Sequence, residues 1–122
     1  MSRSRHAIGS VNSIAAEPDA LPYVASKHGL LGLVRAMAVD LAHHRIATNL
    51  IAPGAILVER NRALFAADPL RSGLARTVPA GGPGAPEAVA EAALYLADPN
   101  STFVTGTVLT VDGGNTAMVH QC

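Results

Sequence analysis

Apolar residues recur at helical spacing from Val24 to about His43: Leu30, Val34, Met37, Ala38 and Leu41 share one face, and Arg35, Asp40 and His44 are left for solvent. This pattern predicts the longest helix of the chain. The preceding Glu17-Pro-Asp-Ala-Leu-Pro22 reads as a turn-rich loop, because Pro22 fixes its own φ and pushes Leu21 towards extended geometry. The helix is therefore expected to start just after it. Gly29 and Gly32 fall inside the helical pattern, where each costs about 1 kcal/mol against alanine. Close packing of the helix on a neighbouring backbone is the expected compensation.

Strand patterns flank this helix. Ile46-Ala-Thr-Asn-Leu-Ile-Ala52 is a β-branched run stopped by Pro53-Gly54, as expected of a buried strand ending in a turn. Before the helix, Ala7-Ile8 forms a short apolar stub that runs into Gly9-Ser10, the manner in which a buried strand delivers a side chain to a loop. Residues 55–85 are irregular, with prolines and glycines that allow helical pieces around Arg60–Ala67 and Leu70–Arg76. Pro86-Glu87 opens a further helix to about Asp98, with Pro in the first turn, Glu87 at the positive end of the dipole and Val89, Ala93 and Leu96 as its inner stripe. Thr105-Gly-Thr-Val-Leu-Thr-Val111 predicts a last strand, closed by Asp112-Gly-Gly114, whose glycines permit positive φ. Strand, helix, strand, helices, strand is βαβαβ order. It predicts an α/β fold with parallel strands in a single domain over residues 1–122.

Composition narrows the setting. The chain has 122 residues, is 49% hydrophobic and carries nine basic and nine acidic side chains, so it has no net field to attract a nucleic acid. Its one cysteine, Cys122, has no internal partner, which fits a reducing compartment and makes the cytoplasm the expected location. No stretch reaches the roughly 20 apolar residues of a membrane span. The basic opening Met1–His6 is followed by Ala7–Ala16, which Gly9, Ser10, Asn12 and Ser13 break up, against a targeting peptide. His43 and His44, adjacent on a helix, are expected to face different directions, and with His120-Gln-Cys122 as a tail no metal site is expected.

The chemistry gathers at Tyr23-Val-Ala-Ser-Lys27. Residues four apart on a helix share a face, which sets the Lys27 ammonium beside the Tyr23 phenol. A phenol titrates near pH 10 in water, and a nearby cation favours the phenolate, so Tyr23 is the candidate general acid or base. Lys27 is the only lysine of the chain, and there are two tyrosines.

With its flanking Ala-Ser and His-Gly-Leu, this segment resembles the active-site signature of the short-chain dehydrogenase/reductase family. Three further segments match in order: Ile8-Gly-Ser10-Val11 resembles the family's strand-end serine motif. Asn49-Leu-Ile-Ala-Pro53-Gly54-Ala-Ile56 resembles its sixth strand and Pro-Gly turn. Val104–Gly114 resembles its last strand and closing turn. The resemblance covers almost the whole chain. It implies a C-terminal part of a Rossmann-like doubly wound sheet, NAD or NADP as cofactor, an alcohol or carbonyl substrate and a homo-oligomer. It places the substrate-binding hydroxyl on Ser10, thirteen positions before Tyr23, with Ser13 as its rival at ten. Proton transfer falls on Tyr23 and ribose binding on Lys27. The backbone from Pro53 and Gly54 to Ile56 falls beside the nicotinamide.

Departures from the family pattern temper these expectations. The glycine-rich turn that approaches the cofactor pyrophosphate at a helix N-terminus is absent from the sequence, as are the Asn-Ala-Gly stretch and the asparagine of the proton relay. Ser2-Arg-Ser-Arg-His6 stands where apolar residues are expected in mid-sheet, so the first residues read as a truncation scar. Ala47 replaces a frequent arginine, and Val58 a threonine that contacts the carboxamide. Three functions remain open: an NAD(P)-linked oxidoreductase that needs a front half, a non-catalytic fragment serving in subunit association, and a binding module for another small ligand. Neither the substrate nor the choice between NAD and NADP is legible.

Overall fold

The computed structural model describes residues 3–119 and, within them, every side chain outside 68–72. Met1, Ser2, His120 and Cys122 lie outside the described residues. The elements are β1 (Arg3–Ile8), α1 (Leu21–Leu41), β2 (Ile46–Pro53), α2 (Arg62–Ala66), α3 (Asp68–Thr77), α4 (Pro86–Ala97) and β3 (Val108–Val111). The three strands form one sheet in the order β1-β2-β3, with both pairings parallel. The expected α/β architecture is therefore present.

β2 is the centre of the molecule. Its residues 47–52 are all buried, as a strand covered on both faces requires. Side chains alternate between the faces. Leu50 and Ala52 pack with Leu31 and Val34 of α1, while Ala47 shares a small cavity with Leu96 of α4 on the other face. The three layers are thus α1, the sheet and α4. Asn49, fully buried, ties β2 to the approach of β3: its Nδ2 donates to the Val104 carbonyl at 3.0 Å and its Oδ1 accepts from Thr107 N–H at 3.1 Å. Both halves of the buried amide are satisfied, as burial demands.

Several expectations are corrected. The stub Ala7-Ile8 is the end of a six-residue strand, and Arg3 to His6 pair with Ile46 to Asn49 in register. Parallel pairing uses only backbone groups, and at a sheet edge the polar side chains of Arg3, Ser4 and Arg5 stay exposed. α1 starts at Leu21, so Pro22 sits inside its first turn, where a missing N–H costs no helical hydrogen bond. Leu31, not among the expected inner residues, is buried with Val34 and Ala38, and Leu30 and Met37 are half-buried. Gly29 and Gly32 are exposed, and a Cβ on either would meet no atom within 4 Å, so neither mediates a close contact within the chain. β3 begins at Val108 and not at Thr105, because Gly106 takes φ +73° and interrupts extended backbone. His43 and His44 do not diverge: beyond Leu41 the chain tightens into a 3₁₀ turn over Ala42–His44, and the two rings stand 3.8 Å apart between centroids. Gly113 and Gly114 do take positive φ, at +60° and +91°.

Candidate active site

The serine is positioned by a turn that admits no side chain at its entrance. Gly9 N–H donates to the Ile51 carbonyl at 2.8 Å, continuing the sheet one residue past β1. A Cβ at Gly9 would fall 2.6 Å from Ser13 Oγ and 2.9 Å from a Leu50 methyl, so any larger residue forces these buried side chains to shift. Ser10 then caps a 3₁₀ turn over Val11–Ser13: its Oγ accepts from Asn12 N–H at 3.1 Å, and Ser13 Oγ accepts from Ser10 N–H at 3.2 Å. The two candidate serines are thereby separated. Ser13 is fully buried and its oxygen holds the turn. Ser10 lines a cleft of about 470 Å³, which Ser13 does not.

Tyr23 lies in the first turn of α1 and lines the same cleft, 46% exposed. Lys27 stands one turn further on, with Nζ 5.5 Å from the centre of the Tyr23 ring. The shared helix face expected from the spacing is realised as a cation over an aromatic face. Lys27 is not among the residues lining the cleft.

The third expected component is split. Gly54 and Ala55 line the cleft, whereas Pro53, the last residue of β2, and Ile56 flank them outside it. Gly54 N–H donates to the Val111 carbonyl at 3.0 Å, and a Cβ on Gly54 would lie 3.0 Å from Asp112 Cα. The strand ends of β2 and β3 come this close only because residue 54 is glycine. Ile56 bridges Gly84, its carbonyl accepts from Asn61 Nδ2 at 2.9 Å, and Val58 N–H donates to Asn61 Oδ1 at 2.8 Å. Ser10, Tyr23 and Gly54 are therefore gathered in one cleft, with Lys27 beside it.

Sequence reasoning missed Asn12, Phe65, Leu74 and Asn115, which also line it. Asn12 belongs to the turn that Ser10 caps, whereas the other three reach the cleft through contacts between segments far apart in the chain. Asp112 fixes one of them. Its carboxylate accepts from Gly114 N–H at 3.0 Å, Thr116 N–H at 2.9 Å and the Thr116 hydroxyl at 2.6 Å, which sets the 3₁₀ turn carrying Asn115. Asn115 Nδ2 in turn donates to the Thr77 carbonyl at 2.6 Å. Burial pushes the Asp112 carboxyl up, but these hydrogen bonds outweigh it and hold the group below its ordinary value. On β1, burial pushes the His6 imidazole down against a smaller opposing pull from the Leu96 backbone; neither ring nitrogen has a well-formed hydrogen bond.

A nicotinamide dinucleotide is the group that a Tyr-x-x-x-Lys site implies. The residues present fit its nicotinamide–ribose end: Gly54 and Ala55 line the cleft with Tyr23, and the Lys27 ammonium adjoins the phenol. Among the described residues no three His, Cys, Asp or Glu side chains are grouped to hold a metal ion. No helix among them is long and apolar enough to cross a membrane.

Comparison with known proteins accords with this geometry. A family model described as Enoyl-(Acyl carrier protein) reductase matches residues 4–116. The short-chain dehydrogenase anuF of Penicillium roqueforti is 38% identical over 116 residues, which are 94% of this chain and 42% of that protein. A 4-hydroxyisoleucine dehydrogenase crystallised with NADH superposes with a TM-score of 0.91 at 33% identity, over 98% of this chain and 49% of that one. A gluconate 5-dehydrogenase from Burkholderia cenocepacia J2315, in complex with NADP and tartrate, superposes at 0.87 with 38% identity, over 95% and 46%. The chain belongs to the short-chain dehydrogenase/reductase family. It spans less than half the length of these relatives.

Proposed function

We propose that this chain supplies the catalytic half of an NAD(P)-dependent oxidoreductase acting on an alcohol or carbonyl compound. The observation that carries this reading is the convergence of Ser10, Tyr23 and Gly54 on one cleft, with the Lys27 ammonium over the Tyr23 ring. The relatives crystallised with NADH and NADP support the cofactor. Ser10 donates its O–H to the substrate oxygen and holds it at the phenol. Tyr23 takes the alcohol proton during oxidation, or returns one to the carbonyl oxygen during reduction. Lys27 binds the ribose hydroxyls, and the backbone around Gly54, from Pro53 to Ile56, bounds the nicotinamide. When bound, the dinucleotide takes up the hydride from the carbinol carbon or gives it back.

Residues 1–122 are read as part of one domain, working in a reducing cytoplasm that suits a chain with a single cysteine. Because the sequence holds no glycine-rich pyrophosphate turn, these residues alone bind NAD(P) no tighter than about millimolar, and show no turnover. The test joins them to the dinucleotide-binding segment of a relative. Tyr23→Phe then lowers kcat/KM by about a hundredfold to ten-thousandfold while cofactor affinity is retained. Turnover within about tenfold of the parent removes the role given to Tyr23. Comparing Ser10→Ala with Ser13→Ala decides between the serines, with the larger loss of kcat expected at Ser10.

A second reading, association without catalysis, is favoured by one observation: α1 leaves Leu33 and Val39 exposed on the same helix that presents the open Gly29 and Gly32. A second copy of the chain is the occupant expected from the family. Sedimentation of the chain against its Val39→Arg variant distinguishes the two states. A dimer lost in the variant supports association.

A further inference from the structure

Resting on the oxidoreductase reading, the geometry points to a substrate class: an uncharged alcohol or ketone with an apolar body, in preference to a carboxylate or phosphate ester. Charge is the first argument. Among the described residues lining the cleft of Ser10 and Tyr23, Glu17 is the one charged side chain. In this cleft an anionic substrate therefore meets a like charge and no lining cation. Neither nearby cation lines this cleft: Lys27 stands over the Tyr23 ring, and Arg62 is paired on the exposed surface through Nε with Glu59 Oε2 at 3.1 Å.

Shape is the second argument. A neighbouring cavity of about 400 Å³ lies between α2, α3 and the loop at Gly81–Pro83, and Phe65 and Leu74 line both spaces. They form a shared apolar wall, extended by Val78 on the catalytic side and by Leu57 and Pro83 on the other, where Arg62 also lines the space. A substrate whose oxygen is held by Ser10 and Tyr23 extends its carbon skeleton along this wall.

Binding to the 122-residue chain, followed by NMR with 1-decalone as the neutral probe and gluconate as the anion, tests this without turnover. Decalone is expected to give saturable shifts at Phe65, Leu74 and Val78, with gluconate at least tenfold weaker. Phe65→Asp weakens decalone at least tenfold, and Phe65→Leu restores it to within about threefold. Glu17→Lys, a change at an exposed residue, strengthens gluconate at least threefold and leaves decalone within twofold. Gluconate saturating at or below the decalone concentration overturns the proposal, as does the absence of decalone shifts at Phe65 and Leu74. Retained turnover in Tyr23→Phe removes the catalytic reading and leaves this result standing. Preferential gluconate binding does the reverse.

Discussion

Ile8 and Ile51 are register partners on adjacent parallel strands, yet Ile51 is fully buried and Ile8 is 53% exposed. The same residue in the same sheet meets two environments because β2 has a strand on each side and a helix on each face, whereas β1, among the described residues, pairs along one edge alone. Pairing and burial are therefore separable. Backbone hydrogen bonds set β1 as firmly in register as β2, but side-chain burial requires covering layers that only β2 has in full. Stability should follow the layers, and the site should follow the strand ends, where β1 delivers Ser10 and β2 delivers Gly54.

The largest effect is expected in β2. Ile51→Ala removes a fully buried side chain from between packed layers and should cost about 2–5 kcal/mol through lost transfer energy and the cavity left behind. For a small domain whose net stability is itself only several kcal/mol, that is enough to abolish a cooperative thermal transition. A urea titration of the variant measures it. A loss below about 1 kcal/mol would mean that β2 is not the stability centre.

Gly9→Ala probes where the tight region begins along β1. Its new methyl would press on Ser13 Oγ and Leu50, and overpacking of this kind costs about 1–3 kcal/mol. The same push displaces the turn that presents Ser10, so stability and site geometry should fall together. A variant as stable as the parent, with unchanged amide shifts at Ser10 and Ser13, would show that the turn yields easily.

These two positions also show what the sequence makes legible. α1 is readable because its apolar residues recur at helical spacing, and β2 because a short β-branched run is stopped by Pro53-Gly54. The polar run Arg3–His6 hides a strand because an edge strand needs no apolar period. Ser10, Tyr23, Lys27 and Gly54 are readable as motifs, since their chemistry demands particular residue types at fixed local spacing. Phe65, Leu74 and Asn115 are not, because they reach the cleft through contacts between segments far apart in sequence, such as Asn115 with Thr77. Gly29 and Gly32 misled for another reason: glycine marks room for a close approach but does not supply the approaching group, and both stay exposed.

Acid should separate the edge strand from the closing turn. His6 on β1 titrates below its ordinary 6.5, so as pH falls beneath that value the unfolded chain takes up a proton that the folded chain resists, and stability declines. Asp112 titrates below its ordinary 3.8, so its contribution is present above that value and is lost as pH falls through the lower folded value. Urea midpoints measured from pH 8 to pH 3 should therefore fall in two steps. His6→Gln removes the first, and Asp112→Asn removes the second while lowering stability at neutral pH. A first step that persists in His6→Gln would assign it to another histidine.

The smallest effect is expected at Ile8, and its smallness is informative. Truncation to alanine at a half-exposed position removes little buried surface, so Ile8→Ala should change stability by no more than about 0.5 kcal/mol in the monomeric chain. The register partner Ile51 then differs from it severalfold for the same chemical change, which isolates the covering layer as the cause. The comparison sharpens further with concentration. If a second copy of the chain, or a supplied dinucleotide-binding segment, comes to lie along the open edge of β1, Ile8 passes from water into an interface. The cost of Ile8→Ala should then rise towards that of a core truncation, about 2 kcal/mol or more. Urea midpoints of parent and variant, taken at several protein concentrations and with the supplied segment present, read this directly. An Ile8→Ala cost that stays small throughout would show that the edge of β1 remains uncovered in every one of these states.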